Sequence, residues 1–555
     1  MNSIKIFCTI SLISLSILAW GKDPIQSEVV VTKSYQPQLN NHIQKIPFQA
    51  IIPDSMRVQP KISFTPKHII SDPGMFNPKQ MEALLLPEYA AYVDKSPTWD
   101  ISAGLGSLID PFLHVQGVGK DSMIGHWNVD FLHNSTHRSI TRFNDLKSPN
   151  HQSLTQLTGS SEWKIKQHYL FNAQVDYRNT YHILYGYSAA SLPKLPYQSY
   201  HLFHGSAGFE NLTLTKTDWK YRLNMDLHKW SDAYDNQEIA WKLKGQIEKF
   251  RKVEDRIGIN LSWSTFSQDL LNGKEVNNII EISPYYAAKM DQFSVSGELK
   301  LVFDNRSTTH FFPYLNAKVS YDAMGDQIAC PFASIEGEHQ SNSLSEWTRI
   351  NPYLSPTNPH PANTDYRFGA RIGVEGKMGA IFSYHVSQAF KKMNDAAFFL
   401  NYPSTVGASD AFFMMRYDNV KIIETLLKAN YEILPSLSAE GKFCYRSYFM
   451  KQLDQPYQIP AVDANLTLAY TILEKTKIRL TGQYYGDFFG NQPDASYTPI
   501  NVPSSFNLSL QGVYQWHNNY RLWLNLNNLL NQSVARFYRY NEYGFNLQVG
   551  IGLQF

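Results

Sequence analysis

The C-terminal segment 543–555 constrains the fold more than any other part of this sequence, because its side chains alternate in character without a break. Successive side chains of a β-strand point to opposite faces, so the alternation predicts a strand with one apolar face and one small or polar face. A transmembrane β-barrel needs such faces, the apolar one against lipid and the polar one toward a lumen, although a soluble sandwich strand can show the same pattern. The apolar positions are Tyr543, Phe545, Leu547, Val549, Ile551, Leu553 and Phe555, and they alternate with Gly544, Asn546, Gln548, Gly550, Gly552 and Gln554.

The N-terminal sequence favours a transmembrane barrel over a soluble sandwich. Lys5 precedes an apolar run from Ile6 to Trp20, and Ala19 and Gly21 are spaced like a cleavage site. The pattern is typical of a secretory signal peptide, so we expect residues 1–21 to be removed after Gly21. A retained membrane anchor is the alternative, but the run is shorter than the ~20 residues that a spanning helix needs. An exported chain that ends on an aromatic strand resembles the substrates of the outer-membrane insertion machinery, and we expect the apolar positions from Tyr543 to Phe555 to form that insertion signal.

The composition agrees with a chain that crosses a bilayer by strands. Aromatic residues make up 14% of the 555 residues, yet after the signal no apolar stretch approaches the ~18 residues that mark a transmembrane helix. A closed barrel can still span lipid, because its backbone donors and acceptors are all satisfied between strands. We therefore predict an all-β fold, a transmembrane antiparallel β-barrel in contact with outer-membrane lipid.

The same alternation recurs upstream of the C-terminus. It predicts strands over 219–230, 257–264, 293–303, 462–472 and 506–516. Charged residues occupy the polar face of these strands, where a polar or water-filled lumen would accept them and a soluble core would not. Examples are Arg222, Asp226, Glu298 and Lys300.

Length sets the number of strands. The alternating region covers residues 98–555, and a strand with its share of turn and loop takes roughly 20 residues, which predicts ~22 strands. Short turns near Lys475 and at Asn518–Asn519 fit the periplasmic side of such a barrel. The proline-containing stretch 341–363 fits the extracellular side, where loops are longer.

Particular segments resemble a known family. The run RLWLNLNNLLNQSVARFY at 521–538 resembles the penultimate strand of TonB-dependent receptor barrels, and 477–490 and 504–516 fit the strands before it. Segments 28–47 and 99–118 are similar to the N-terminal signature and first hairpin of a plug-lacking, TonB-dependent-receptor-like group found in the Bacteroidota and their relatives. The resemblance implies the outer membrane of a Gram-negative bacterium and a role in transport.

Residues 22–97 stand where such a receptor has its globular plug, and they carry no plug-like glycine motifs. We expect an extended segment, interrupted by prolines, that either occludes the lumen or extends into the periplasm. Its residues Glu28, Val29, Val30, Val31 and Thr32 resemble a TonB box, which would bind TonB by adding a strand to it. The alternative is a β-prone run that pairs within the barrel or with nothing.

These observations leave two classes of function. The first is uptake or transport of a solute, passive or energised through TonB, with a surface lipoprotein as a further candidate partner. The second is a non-transport barrel subunit or scaffold of an envelope complex. The sequence contains no P-loop, H-E-x-x-H or CxxC motif, and its net charge is only +2, so we expect no enzyme, metal site, cofactor or nucleic-acid partner. Whether Cys330 and Cys444 form a disulfide stays open.

Overall fold

The computed structural model describes residues 99–121, 125–165, 168–189, 192–212, 219–250, 255–271, 273–305, 309–341, 343–357, 364–403, 410–494 and 496–555. The predicted signal peptide and the segment 22–97 with its TonB-box-like run lie outside these residues. The domain boundaries drawn at residues 21 and 97 therefore stay predictions.

Strands account for nearly all of the described chain, and 22 of them form one sheet. These are β1 (Trp99–Gly106), β2 (Phe112–Asp121), β3 (Gly125–Thr136), β6 (Gln152–Ile165), β7 (Tyr169–Ile183), β8 (Tyr197–Asn211), β9 (Trp219–Asp232), β10 (Gln237–Phe250), β11 (Arg256–Leu270), β12 (Gly273–Met290), β13 (Phe293–Asn305), β14 (Thr309–Tyr321), β15 (Cys330–Ser341), β16 (Thr364–Met378), β17 (Phe382–Asn401), β18 (Phe413–Leu434), β19 (Leu437–Met450), β20 (Val462–Ile472), β21 (Thr476–Tyr485), β24 (Ser505–His517), β25 (Tyr520–Asn527) and β28 (Asn546–Gln554).

Short elements lie in the connections between these strands. They are β4 (Ile140–Thr141), β5 (Lys147–Ser148), α1 (Leu344–Ile350), β22 (Phe488–Asn491), β23 (Pro499–Val502), β26 (Ala535–Phe537) and β27 (Tyr540–Asn541).

The sheet closes on itself. Each long strand pairs antiparallel with the next one along the chain, and β28 pairs antiparallel with β1, placing Ala103 opposite Ile551. Beside this seam the Trp99 amide donates a hydrogen bond of 2.8 Å to the Phe555 carbonyl. The predicted antiparallel barrel of ~22 strands is therefore confirmed, and closure leaves the sheet without an unpaired edge.

The outward face of the barrel is apolar, as the alternation predicts. Along β9 the side chains of Leu223 and Met225 are 49% and 50% exposed, while the intervening Arg222 and Asp226 face the lumen. Exposed leucine and methionine at every second position have no explanation in a water-soluble sheet, but they suit a surface covered by lipid. Among the described residues, no helix is long and apolar enough to span a bilayer.

Exposed aromatic side chains mark both edges of the apolar surface, as interfacial girdles do in membrane barrels. We call the end of the barrel that holds Trp99 and Phe555 the turn end, and the opposite end the loop end. The turn-end girdle contains Trp219, Phe293, Tyr431, Tyr470, Trp516, Tyr520 and Phe555, and the loop-end girdle contains Phe303, Phe311, Phe368, Phe390 and Phe449.

Connections differ in length between the two ends. Lys475 and Asn518–Asn519 lie in tight turns at the turn end, and residues 343–357 of the stretch 341–363 lie at the loop end, as predicted. Outer-membrane barrels have short turns on the periplasmic side and long loops on the extracellular side, and the two ends of this barrel differ in the same way. Cys330 begins β15 and Cys444 lies in β19, and both are free, which answers the question of a disulfide between them.

Candidate functional site beneath the loop cap

At the loop end, several of the connections pack against one another. Segments that follow β3, β7, β15, β17 and β25 come together in one apolar cluster, which we call the loop cap. Its burial of many aromatic rings makes it a packed core of its own, and rings of this size dominate the stability of such clusters. The buried members are Ile140, Leu184, Tyr185, Tyr187, Trp347, Tyr353, Leu354, Ala397, Phe399, Ala411, Phe412, Phe413, Met415, Phe537 and Tyr540.

Helix α1 connects part of the loop cap to the inner wall of the barrel. Ser343 caps the helix by accepting a hydrogen bond of 3.1 Å from the Glu346 amide, and Glu346 stands at the third helical position, as in a capping box. The Leu344 amide donates to Glu238 Oε2 on β10 at 2.8 Å. The indole of Trp230 on β9 donates to Thr348 Oγ1 at 3.2 Å. The segment that sequence analysis gave only as a long extracellular loop is thus held against the inner wall.

Buried polar groups join the cap loops to one another. Asp410 Oδ2 accepts hydrogen bonds from the Ser188 amide at 2.9 Å and from Arg539 Nη1 at 3.0 Å. Arg142 is 1% exposed, donates to the carbonyls of Tyr187 and Ala189, and lies 4.2 Å from the centroid of the Tyr187 ring. These charge-assisted contacts fix which loop lies beside which, because leaving either arginine without its acceptors in a buried site is costly.

A recess lies between the cap and the inner wall of the barrel, with a volume of ≈ 260 Å³. The wall side is rich in carboxamides, which come from β3, β6, β24, β25 and β28, and the cap side is rich in aromatic rings. The carboxamides are Asn134, Gln152, Asn507, Asn527, Asn528, Asn546 and Gln548, and the rings are Tyr185, Tyr353, Phe537, Tyr540 and Tyr543.

Several polar atoms of the recess are buried without a hydrogen-bond partner. Asn507 is 6% exposed, and its Oδ1 has none. The same holds for Oδ1 of Asn134 and Asn527 and for both ring nitrogens of His182. Buried polar atoms in proteins are almost always satisfied, so these atoms need a partner inside the recess, which either water or a polar guest can supply.

The charges around the recess balance. Arg536 Nη1 lies 3.4 Å from Glu542 Oε1, and the other charged lining residues are Arg178 and Asp110. Burial raises the pKa of Glu542, and the neighbouring Arg536 guanidinium offsets only part of that rise. Burial likewise raises the pKa of Asp110 in the loop after β1. Desolvation is thus the largest cause of the shift in both cases.

Farther along the inner wall, β16 to β19 carry a compact group of charges. Glu424 is 4% exposed and lies 2.9 Å from Lys391 Nζ, 3.1 Å from Arg446 Nε and 3.3 Å from Arg371 Nη2. Arg446 also reaches Asp463 on β20 at 2.8 Å. These charges face the lumen, as sequence analysis predicted for the polar faces of the strands. Within the described ranges, no group of His, Cys, Asp or Glu side chains is placed to hold a metal ion.

The barrel is similar to solved structures of large outer-membrane receptors. The FrpB iron transporter from Neisseria meningitidis matches with a TM-score of 0.62 and 11% identity, over 83% of this chain and 83% of that one. The siderophore receptor PirA from Acinetobacter baumannii matches with a TM-score of 0.63 and 11% identity, over 84% and 81%. For the pyoverdine outer membrane receptor FpvA from Pseudomonas aeruginosa, the TM-score is 0.61 and the identity 12%, over 83% and 79%.

The fold is that of a TonB-dependent-receptor-like barrel of the outer membrane. At such low identity, the likeness extends to the fold alone. No family model matches the chain, and no curated protein matches it in sequence.

Six of the seven residues proposed as an insertion signal lie on the outward face at β28, and one does not. Phe545, Val549, Ile551 and Phe555 are exposed on the outward face at β28. Leu547 and Leu553 lie on the same face and are partly covered. Tyr543, however, does not continue the alternation, because it precedes β28 and packs against the loop cap, where its hydroxyl donates to the Arg138 carbonyl at 2.8 Å. That these residues act as an insertion signal stays a prediction.

Sequence analysis missed the carboxamides of the recess. A signal for them exists, since Asn507, Asn527, Asn546 and Gln548 all fall on polar faces of the last barrel strands or at their ends. Alternation alone assigns these residues to the lumen, but it cannot tell a lining side chain from a binding one. What distinguishes them is the loop cap above them, which the pattern of the strands does not encode.

Proposed function

We propose that the protein carries a small solute across the outer membrane, with the recess as its binding site and the loop cap as the gate above it. The observation that carries this proposal is the group of buried, unpartnered polar atoms around a cavity in the lumen. A barrel that served only as a scaffold would gain nothing from leaving Asn507 and His182 unsatisfied, because each such group costs stability.

The fold supports transport in general but not a particular cargo. The matched proteins are described as an iron transporter and as receptors for siderophores, and a copper transporter, OprC, matches with a TM-score of 0.59 and 12% identity, over 82% of this chain and 80% of that one. A recess of ≈ 260 Å³ is at the small end of ligand sites, which span roughly 300–1,000 Å³ for drug-sized molecules. The cargo of this protein is therefore a smaller molecule than a siderophore complex.

Coupling to TonB is part of the proposal and rests on the run Glu28 to Thr32. The resemblance of segments 28–47 and 99–118 to the plug-lacking group supports it, and the hairpin predicted for 99–118 matches β1 and β2. Deleting residues 27–32 should abolish uptake in cells while leaving the amount of barrel in the membrane unchanged. Unchanged uptake in the deletion strain would assign the protein to passive diffusion.

Single-channel conductance in planar bilayers tests the gate. The proteins to compare are the mature chain, a version that lacks residues 22–95, and the mature chain with Tyr540→Ala in the loop cap. If only the truncated protein conducts, the N-terminal segment is the barrier, and if only Tyr540→Ala conducts, the loop cap is. Conductance of all three identifies an open pore.

The second candidate is a non-conducting barrel subunit of an envelope complex. The dense packing of the loop cap favours it, because a rigid outer surface is suited to docking a protein partner. Absence of conductance from all three proteins, together with unchanged solute uptake by cells that lack the protein, would replace transport with this function.

A further inference from the structure

We infer that the recess binds a neutral, polyhydroxylated solute, a saccharide of one or two rings. This inference rests on the proposed transport function and names the class of its cargo. Three properties of the lining support it, namely the chemistry of the unpartnered atoms, the balance of charge and the shape of the cavity.

The unpartnered atoms need a guest that both donates and accepts. Asn134, Asn507 and Asn527 each present a carboxamide oxygen without a donor, and Arg536 Nη2 is a donor without an acceptor. His182, when neutral, offers one donor and one acceptor. The guest must therefore donate to some of these atoms and accept from others. A hydroxyl group does so, whereas a carboxylate only accepts and an ammonium only donates.

The charge of the lining excludes a strongly ionic guest. Arg536 is already paired with Glu542 at 3.4 Å, and Arg178 and Asp110 add one charge of each sign. A site for an anion would show surplus guanidinium groups, and a site for a cation would show surplus carboxylates. The carboxamides outnumber both, and neighbouring ones position each other, as where Asn527 Nδ2 donates to Asn546 Oδ1 at 2.9 Å.

The shape of the recess fits a ring with one polar edge and one apolar face. Carboxamides of β24, β25 and β28 form one side, while Phe537 and Tyr543 stand on the cap side. A pyranose ring presents hydroxyls around its edge and C–H groups on its faces, which complement these two sides. The volume of ≈ 260 Å³ limits the guest to one or two such rings.

Isothermal titration calorimetry on the purified mature protein tests the inference. The probes are glucose, maltose and N-acetylglucosamine, with glycylglycine and inorganic phosphate as competitors of other chemistry. We expect saturable binding of at least one sugar and no binding of glycylglycine or phosphate. Tighter binding of the dipeptide or of phosphate, or no sugar binding at all, would overturn the saccharide assignment.

A matched pair of variants locates the site. Asn507→Leu removes a carboxamide that lines the recess, and Gln511→Leu removes one from the same strand, equally buried and also with an unpartnered oxygen, that does not line it. Asn507→Leu should weaken sugar binding by about tenfold or more, since the sugar hydroxyl it served is left without its partner. Gln511→Leu should bind as the wild type does. Equal losses in both folded variants would show that the sugar does not bind in the recess.

Uptake by cells separates this inference from the transport proposal on which it rests. The assay compares labelled glucose with labelled glycine in cells with and without the protein. Protein-dependent entry of glycine without glucose would leave transport standing and remove the saccharide. Calorimetric binding of sugar without protein-dependent entry of either solute would leave the saccharide site standing and remove transport.

Discussion

The rings of Tyr353 and Tyr540 stack face to face, with centroids 3.7 Å apart and planes inclined by 15°. One ring comes from the connection that contains α1 and the other from the connection before β28. The Tyr540 hydroxyl also donates to the carbonyl of Ala411, so a single side chain links three connections. The loop cap is therefore held together at its centre by Tyr540.

Replacing Tyr540 by alanine should loosen the cap and leave the barrel intact. Removing a buried aromatic ring costs about 3–5 kcal/mol, and here that loss falls on loops alone. We expect faster hydrogen exchange in 184–189 and 410–413 and unchanged exchange in the strands. Tyr514→Ala, which removes an exposed outward ring, is the control and should change neither. Global unfolding of Tyr540→Ala would mean that the cap is part of the folding core of the barrel.

Breaking the Asp410–Arg539 pair should destabilise the protein far more than breaking an ion pair in the open lumen. Both partners are buried, so Asp410→Asn leaves the Arg539 guanidinium without its counter-charge, and breaking such a pair costs about 3–5 kcal/mol. We expect the loop cap to exchange amide hydrogens faster in this variant. Glu210→Gln, which breaks the half-exposed pair with Arg222, should change stability by about 0–1 kcal/mol. Equal effects of the two substitutions would contradict the role of Asp410 as a cap residue.

The features that could be predicted from the sequence are those that follow from the local alternation of side chains. The side-chain period of two gives the outward face of β9 and β28, and division of the length by the span of one strand gives the number of strands. It failed at Tyr543, because a tyrosine in phase with a strand can still lie before its first hydrogen bond.

The loop cap could not be predicted, because its contacts join residues that are remote in sequence. Asp410 and Arg539 are separated by 129 residues, and nothing near either one reveals the other. The recess could not be predicted from the sequence for the same reason. Its carboxamides are visible as polar-face residues, but the rings that cover them come from connections without any period.

The stability of the cap should fall as pH rises, because partial burial raises the pKa of Glu542. Its pKa in the folded protein is raised above the ordinary value, so folding favours the protonated carboxyl. That contribution is complete below the unfolded-state pKa and is lost as pH rises through the folded-state pKa. Hydrogen exchange of 535–543, corrected for the intrinsic pH dependence of exchange, should therefore speed up over this window. Glu542→Gln should abolish the change, and persistence of the change in that variant would assign it to another group.

Neutralising Glu424 should make the lumen prefer anions. Its carboxylate balances Lys391, Arg446 and Arg371, and the variant Glu424→Gln leaves those cations in excess while keeping the shape of the side chain. Measured in the Tyr540→Ala background, the reversal potential across a potassium chloride gradient should shift toward that of chloride. Salt screens a charge less where water is excluded, so the shift should exceed that of Glu336→Gln, whose side chain is 46% exposed beside Arg371. A shift toward potassium, or no difference between the two variants, would show that the permeating ions do not pass Glu424.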